Sequence, residues 1–352
     1  MTMPRGLRTA LFGAIAAAVV AGANADVPRI ARFLSLERIA TRLGMRVDAG
    51  QDGRTETILD AVHQLRFESD SREIIFDGLR MFLGEPAAGT ELEPSLHREI
   101  LVNSVDFERR LLPLLRPKLA GSLPRQPRII AIDPGHGGSD HGTENHRLGL
   151  MEKTFTLDVG LRLRKLLEHD GYKVVMTRTD DSRLAPGQVE DLQRRAEVAN
   201  LAGADLFLSI HFNSVAPDTR TRGTEVYIFP PAHQRSSASW QEHRDDSEPE
   251  MSAGNRNDPW NSVFSHALHR ELLRTLDTED RGEKLRHLGV LRGLHCPGAL
   301  AECAFLSNDP EAGQVANPAF RQKVAEGLDA GIRAYSAEIG LLWAGEGLRP
   351  PK

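Results

Sequence analysis

The sequence predicts an α/β fold: a twisted, mostly parallel or mixed sheet with helices on both faces, preceded by a small α+β domain. Three observations carry this reading. From Arg128 onward, short apolar runs alternate with longer stretches of helical periodicity, the pattern of a sheet covered on both sides. Before residue 123 the pieces are shorter, more polar and without that alternation. At 352 residues the chain is also longer than one core usually serves, so two domains are expected.

The elements follow in chain order. Arg5 and Arg8, the apolar run from Ala10 to Gly22 and the small residues Ala23-Asn24-Ala25 have the layout of a secretory leader spanning 1–25. The apolar run is shorter than the ~20 residues a membrane span needs, so no stable span is expected after cleavage. Localisation is expected to be periplasmic or extracellular. In the first domain, 26–123, Leu36–Ala40 and Ile58–Val62 read as short amphipathic pieces. Phe67–Phe76 reads as one or two strands, and Gly78–Leu83 as another that turns at Gly84-Glu85-Pro86. Pro113, Pro117, Pro124 and Pro127 with Gly121 then punctuate a linker.

The second domain, 128–338, opens on Ile129–Ile132, an apolar run suited to a strand buried on both faces. A helix is predicted over Thr154–His169, a strand over Lys173–Met176 and a helix over Val189–Leu201. Strands follow at Leu206–Ile210 and Thr224–Phe229. Residues 230–260 are a polar insert with four prolines and six acids, too poor in apolar residues to fold alone, yet holding Trp240 and Trp260. That pairing predicts a partly ordered flap near the site. A helix over Ser262–Leu276, a buried strand over Gly298–Cys303, a last helix marked by Phe320, Val324, Leu328 and Ile332, and a tail over 339–352 complete the chain.

Composition narrows the chemistry. Hydrophobic residues at 40% and charged residues at 26% exclude a polytopic membrane protein and a wholly disordered chain. A net charge of −5 offers no basic field for nucleic acid, and two cysteines cannot build a disulfide scaffold. Thirteen histidines are more telling, since His is the commonest metal ligand. Polar residues directly follow apolar runs at Asp133–His136, at Ser209–Asn213 and at Glu302. In an α/β sheet, sites gather at these carboxyl ends of strands. Glu152 adds a carboxylate at the start of a helix. Two His and one Glu form an open zinc set that leaves one tetrahedral position to water, with a further Glu as general base. His141, Glu144 and His146 are a rival set, in a glycine-flanked stretch without a rigid element. Cys296 and Cys303 read as buried thiols. His63 and His97 are isolated.

In this order the motifs resemble those of the zinc-dependent N-acetylmuramoyl-L-alanine amidases that trim bacterial cell walls, the type 3 amidases. They are Ile132-Asp133-Pro134-Gly135-His136-Gly137-Gly138, Gly149-Leu150-Met151-Glu152-Lys153, Thr177-Arg178-Thr179-Asp180, Leu192 through Arg195 to Asn200, Ser209-Ile210-His211-Phe212-Asn213-Ser214, and Pro297–Glu302 with Phe305-Leu306-Ser307-Asn308. The resemblance covers Arg128 to about Ser336. It implies one zinc ion held by His136, Glu152 and His211, with Glu302 catalytic, and peptidoglycan as substrate. Asn213, Arg178 and Arg195 are candidates for substrate contact, and a protein activator is a candidate partner. A zinc peptidase acting within the stem peptide and a non-catalytic wall-binding protein are the alternatives. Phe212 and Ala304 depart from the family's small residue and glycine, which predicts a narrower cleft. The insert lacks the helical periodicity of the plugging helix that division amidases carry there. Residues 26–123 faintly resemble the N-terminal module of copper amine oxidases, implying a docking or dimerisation role without copper.

Overall fold

The computed structural model describes residues 33–89, 99–215, 218–238 and 245–345. The predicted leader, His97 and Trp240 lie outside them. The first segment supplies strands β1 (Phe33–Ser35), β2 (Arg46–Ala49), β3 (Thr55–Leu59), β4 (Gln64–Glu68), β5 (Glu73–Phe76), β6 (Leu79–Phe82), β7 (Ala88–Gly89) and β8 (Ile100–Asn103). Helix α1 (Leu36–Leu43) buries Leu36, Ile39, Ala40 and Leu43. Ser35 caps its start, and Gly44 in the left-handed region caps its end. Two short helices, α2 (Ser104–Asp106) and α3 (Leu112–Leu115), flank a π-helical turn over Phe107–Leu111.

The second segment contributes β9 (Ile129–Pro134), the β10 (Glu144–Asn145) and β11 (Leu150–Met151) hairpin, α4 (Glu152–His169), β12 (Lys173–Met176), α5 (Gln188–Leu201), β13 (Leu206–Asn213) and β14 (Thr224–Ile228). Then come α6 (Asp258–Leu276), β15 (Asp280–Leu285), α7 (Gly289–Arg292), β16 (Gly298–Phe305), α8 (Asp309–Ala316) and α9 (Pro318–Gly345). The residues predicted to begin a tail at 339 continue α9 to Gly345, burying Ile339 and Leu342. No helix among the described residues is long and apolar enough to cross a membrane.

One eleven-stranded sheet runs β12-β9-β13-β16-β14-β15-β6-β5-β4-β3-β2. β12, β9, β13 and β16 are parallel, β14 runs antiparallel to β16, and β6 through β2 form an antiparallel meander. The sheet therefore runs across the boundary expected near 123–128: β15 pairs with β6 of the first segment, Glu283 opposite Met81. Arg80 adds to that seam by donating its backbone N–H to Asp280 Oδ2 at 2.8 Å. The described residues from Phe33 onward form one compact unit. The expected linker is likewise docked. Leu114 and Leu115 are buried, Trp260 donates to the Ser122 carbonyl at 2.9 Å and Trp343 to that of Pro124 at 3.0 Å.

Strand alternation sorts the central sheet into two faces. Ile130, Ile132, Leu208, Ile210, Ala299 and Ala301 pack into the larger core, which α4, α6 and α9 share. Ala131, Phe207 and Leu300 point the other way, onto Ala196 and Ala199 of α5 and Val290 and Leu291 of α7. His211 and Glu302 lie in phase with Phe207 and Leu300, so they emerge on this second face at the carboxyl ends of their strands.

Candidate active site

The first ligand loop is fixed before any ligand is considered. Asp133, at the end of β9, is buried and accepts from Thr177 Oγ1 at 2.6 Å, Ser209 Oγ at 2.7 Å and Arg195 at 2.8 Å. Arg195 also pairs with Asp191 at 2.7 Å and donates to the carbonyls of Pro134 and His136. Arg178 donates to the carbonyls of Pro134, Gly135, Lys153 and Asp180. Both arginines are buried, at 4% and 2% exposure. Of the candidates for substrate contact, these two have guanidinium donors engaged by backbone carbonyls and buried carboxylates that hold the loop. They keep His136 at φ +62°, a region disfavoured for a residue with a Cβ.

Glu152 opens α4, where its charge suits the helix N-terminus. Its Oε1 accepts from the Phe212 N–H at 3.0 Å and lies 2.9 Å from His211 Nδ1. Its Oε2 accepts from the Thr143 N–H at 2.8 Å and lies 3.2 Å from His136 Nε2. One ligand atom each from His136, Glu152 and His211 falls within 4.8 Å of the others. Two glycines make that approach feasible. A Cβ on Gly135 would sit 2.2 Å from His211 Cε1, and one on Gly142, at φ +68°, 2.6 Å from Glu152 Oε2. Two imidazoles and a carboxylate on rigid elements are a donor set that fits a divalent metal ion.

The electrostatics follow from burial and proximity. Burial opposes charge on Glu152, but His136 and His211 hold its carboxyl well below the usual range. Burial likewise opposes charge on His136, but Glu152 and Asp140 outweigh it and raise the imidazole to about 9. Glu302 is pushed well above the usual range by burial, then by the charges of Glu152 and Glu225, with Arg286 and Lys284 partly offsetting. Its Oε2 has no hydrogen-bond partner among the described residues.

Register places Glu302 between His211 on β13 and Glu225 on β14. Glu225 was not anticipated from the sequence. It is 2% exposed and accepts from Asn213, Lys284 and Tyr227, whose hydroxyl lies 2.6 Å away. Asn213 is thereby held against Glu225. The signal was weaker than at Glu302: a carboxylate at the start of an apolar run instead of at its end.

Other expectations resolve plainly. His141 lies 2.9 Å from Glu144 and His146 3.5 Å from it, all on the exposed hairpin side. They form no three-ligand group among the described residues, where His136, Glu152 and His211 alone do. Phe212 and Ala304 are fully buried, so they do not narrow the cleft; Phe212 faces the core against Phe155. Cys296 and Cys303 are free buried thiols. In the insert, the helical residues among those described are one turn, Ala253–Asn257, and the start of α6. Residues 235–237 are held by Arg72 and Leu285, and residues 236–238 line a cavity with Tyr227 and Arg286. Trp260 belongs to α6, not to a flap.

Residues 130–334 match the family described as N-acetylmuramoyl-L-alanine amidase. A germination-specific N-acetylmuramoyl-L-alanine amidase of Bacillus subtilis is 32% identical over 228 residues, 62% of this chain and 84% of its own. The N-acetylmuramoyl-L-alanine amidase CwlM of Bacillus licheniformis is 35% identical over 210 residues, 59% of this chain and 68% of its own. Among solved structures, the CwlD amidase of Clostridioides difficile in complex with the GerS lipoprotein superposes with a TM-score of 0.50 at 27% identity. It covers 60% of this chain and 99% of that one.

Proposed function

The chain belongs to the N-acetylmuramoyl-L-alanine amidase family, and from that premise we propose zinc-dependent hydrolysis of the amide joining N-acetylmuramic acid to L-alanine in peptidoglycan. The observation that carries this is the convergence of His136, Glu152 and His211 ligand atoms within 4.8 Å, beside a buried Glu302 with a free oxygen. A zinc ion bound by the three would lower the pKa of its water toward ~7 and polarise the lactyl carbonyl.

The chain's own groups do the rest. Glu302 takes a proton from the attacking water and delivers it to the departing amino group of L-alanine. A carboxyl raised by burial and like charges suits that exchange. Glu225, pinned by Asn213, Tyr227 and Lys284, fixes the negative field on one side of Glu302. Arg178 and Arg195 hold the His136 loop so that no reorganisation is needed when substrate arrives. A leader over residues 1–25 fits a substrate outside the cytoplasm, and the first segment then acts as a scaffold to the cleft.

Incubating the protein with sacculi and zinc, against a chelated control, tests this by mass spectrometry of the released muropeptides. Free stem peptides beginning with L-alanine, made only with metal, are expected. Cuts within the stem would replace the amidase with a peptidase, and retention on sacculi without cleavage would leave a binding protein.

A further inference from the structure

We propose that a cationic pocket linked to Glu302 through Tyr227 and Glu225, and walled by the first segment, the catalytic sheet and Ser236–Ala238 with Asp246 of the insert, binds a carboxylate of the peptide that leaves the muramoyl group. This rests on the amidase reading and names a substrate group for the same cleft. The cavity has a volume of ≈ 560 Å³, within the range of small-ligand sites. Arg80 and Phe82 of β6 form one wall, Arg281 and Lys284 of β15 with Arg286 another, and Tyr227 of β14 lies between. Tyr227 connects the cavity to the chemistry, because its hydroxyl donates to Glu225, the register neighbour of Glu302.

Asp246 also lines the cavity and accepts from the Ser236 N–H at 2.9 Å, so four cationic side chains meet three carboxylates, those of Glu73, Asp246 and Glu225. Arg80 is matched by Glu73 through two bonds of 2.9 and 2.8 Å. Arg281 and Lys284 share the single carboxylate of Glu225. Arg286 is exposed, lies 5.9 Å from the Tyr227 ring centroid, and makes no ion pair among the described residues. Its forked donors are free to take a carboxylate in bidentate fashion. The side of the scissile bond then follows from chemistry. Once its lactyl carboxyl is in the amide, N-acetylmuramic acid is uncharged, whereas the peptide carries every free carboxylate. An anion-seeking pocket linked to Glu302 therefore receives the peptide side.

Two soluble probes differ by one carboxylate: N-acetylmuramoyl-L-alanyl-D-glutamate and its D-isoglutamine amide. With zinc-loaded protein the acid is expected to have a KM roughly tenfold lower at equal kcat. Arg286→Gln should remove that preference by raising the KM of the acid alone, and Arg286→Lys should restore part of it. Calorimetry with the two cleaved dipeptides should give the same ratio without turnover. Equal handling of acid and amide by the unaltered protein, or an equal loss for both in Arg286→Gln, would overturn the pocket. A binding preference without hydrolysis of either probe would instead sink the amidase reading and leave the pocket standing.

Discussion

Glu302 and Arg195 show opposite ways in which a buried charge serves a site. Glu302 has a free oxygen and two carboxylate neighbours, so its Gln variant keeps shape and hydrogen-bonding capacity and loses only proton exchange. Glu302→Gln is expected to retain one equivalent of zinc by elemental analysis while kcat falls roughly 10²–10⁴-fold. Near-normal turnover would remove it as the base. Arg195 is compensated on every side, by Asp133, Asp191 and two carbonyls. Removing it strands two buried carboxylates, at a cost of about 3–5 kcal/mol. Arg195→Met should show that loss in urea unfolding, together with weakened metal retention. A pure rise in KM with unchanged stability would instead return it to substrate contact. His136, His211 and Glu302 were legible in the sequence because they follow apolar runs, and Glu152 because it opens a helix. The carbonyls that the two arginines reach were not, because a partner such as Pro134, more than forty positions away from either, leaves no local trace.

Elements were legible wherever their burial is apolar. β12 matches its predicted run, β9 and β13 start where predicted and continue to Pro134 and Asn213, and α4 and α5 begin within two residues of the predicted starts. β15 was invisible, because Asp280-Arg281-Gly282-Glu283-Lys284-Leu285 carries almost no apolar signal. Its charges are matched across the fold instead: Asp280 with His269, Glu283 with His266 and Ser265, Lys284 with Glu225. Strand-forming tendency there comes from tertiary pairing, not from the residues themselves. The β9–α4 connection makes a sharper claim. Gly135→Ala would drive a methyl into the His211 ring, so zinc affinity is expected to fall at least tenfold in a chelator competition while far-UV circular dichroism stays unchanged. Unaltered affinity would mean that His211 is not held where the ligand set requires it.

The division into two domains follows the sequence's change of texture, yet hydrogen bonding unites the segments. Without residues 33–123, the β15 edge that meets β6 would be bare, an invitation to intermolecular pairing. A chain of residues 124–352 alone is therefore expected to aggregate during refolding, as read by light scattering; a stable, active monomer would refute this. Stability should also carry a pH signature from the start of α6. Burial raises the Asp258 carboxyl to about 7, with Asn255 and Arg109 only partly offsetting. A raised acid favours folding while protonated, a contribution fully present below its unfolded pKa near 4 and lost as pH climbs through 7. Asp258→Asn keeps an acceptor for Asn255 and has no proton to lose. Its melting temperature should gain on the unaltered protein between pH 4 and 8, by up to a few kcal/mol in stability; a constant difference would disprove the assignment.

The β6–β15 seam also sets a clock. Arg80 and Asp280, which bond across it, are separated by 200 positions. At a synthesis rate of about 5–20 residues per second, β6 waits roughly 10–40 s for its partner to be made. A meander that folded in that interval would have a finished edge and nothing to lay against it, so a chain carrying an export leader is best kept unfolded until then. Holdase chaperones that bind nascent chains should therefore dwell on this protein until the last quarter of translation, and release it only once Asp280–Leu285 has emerged.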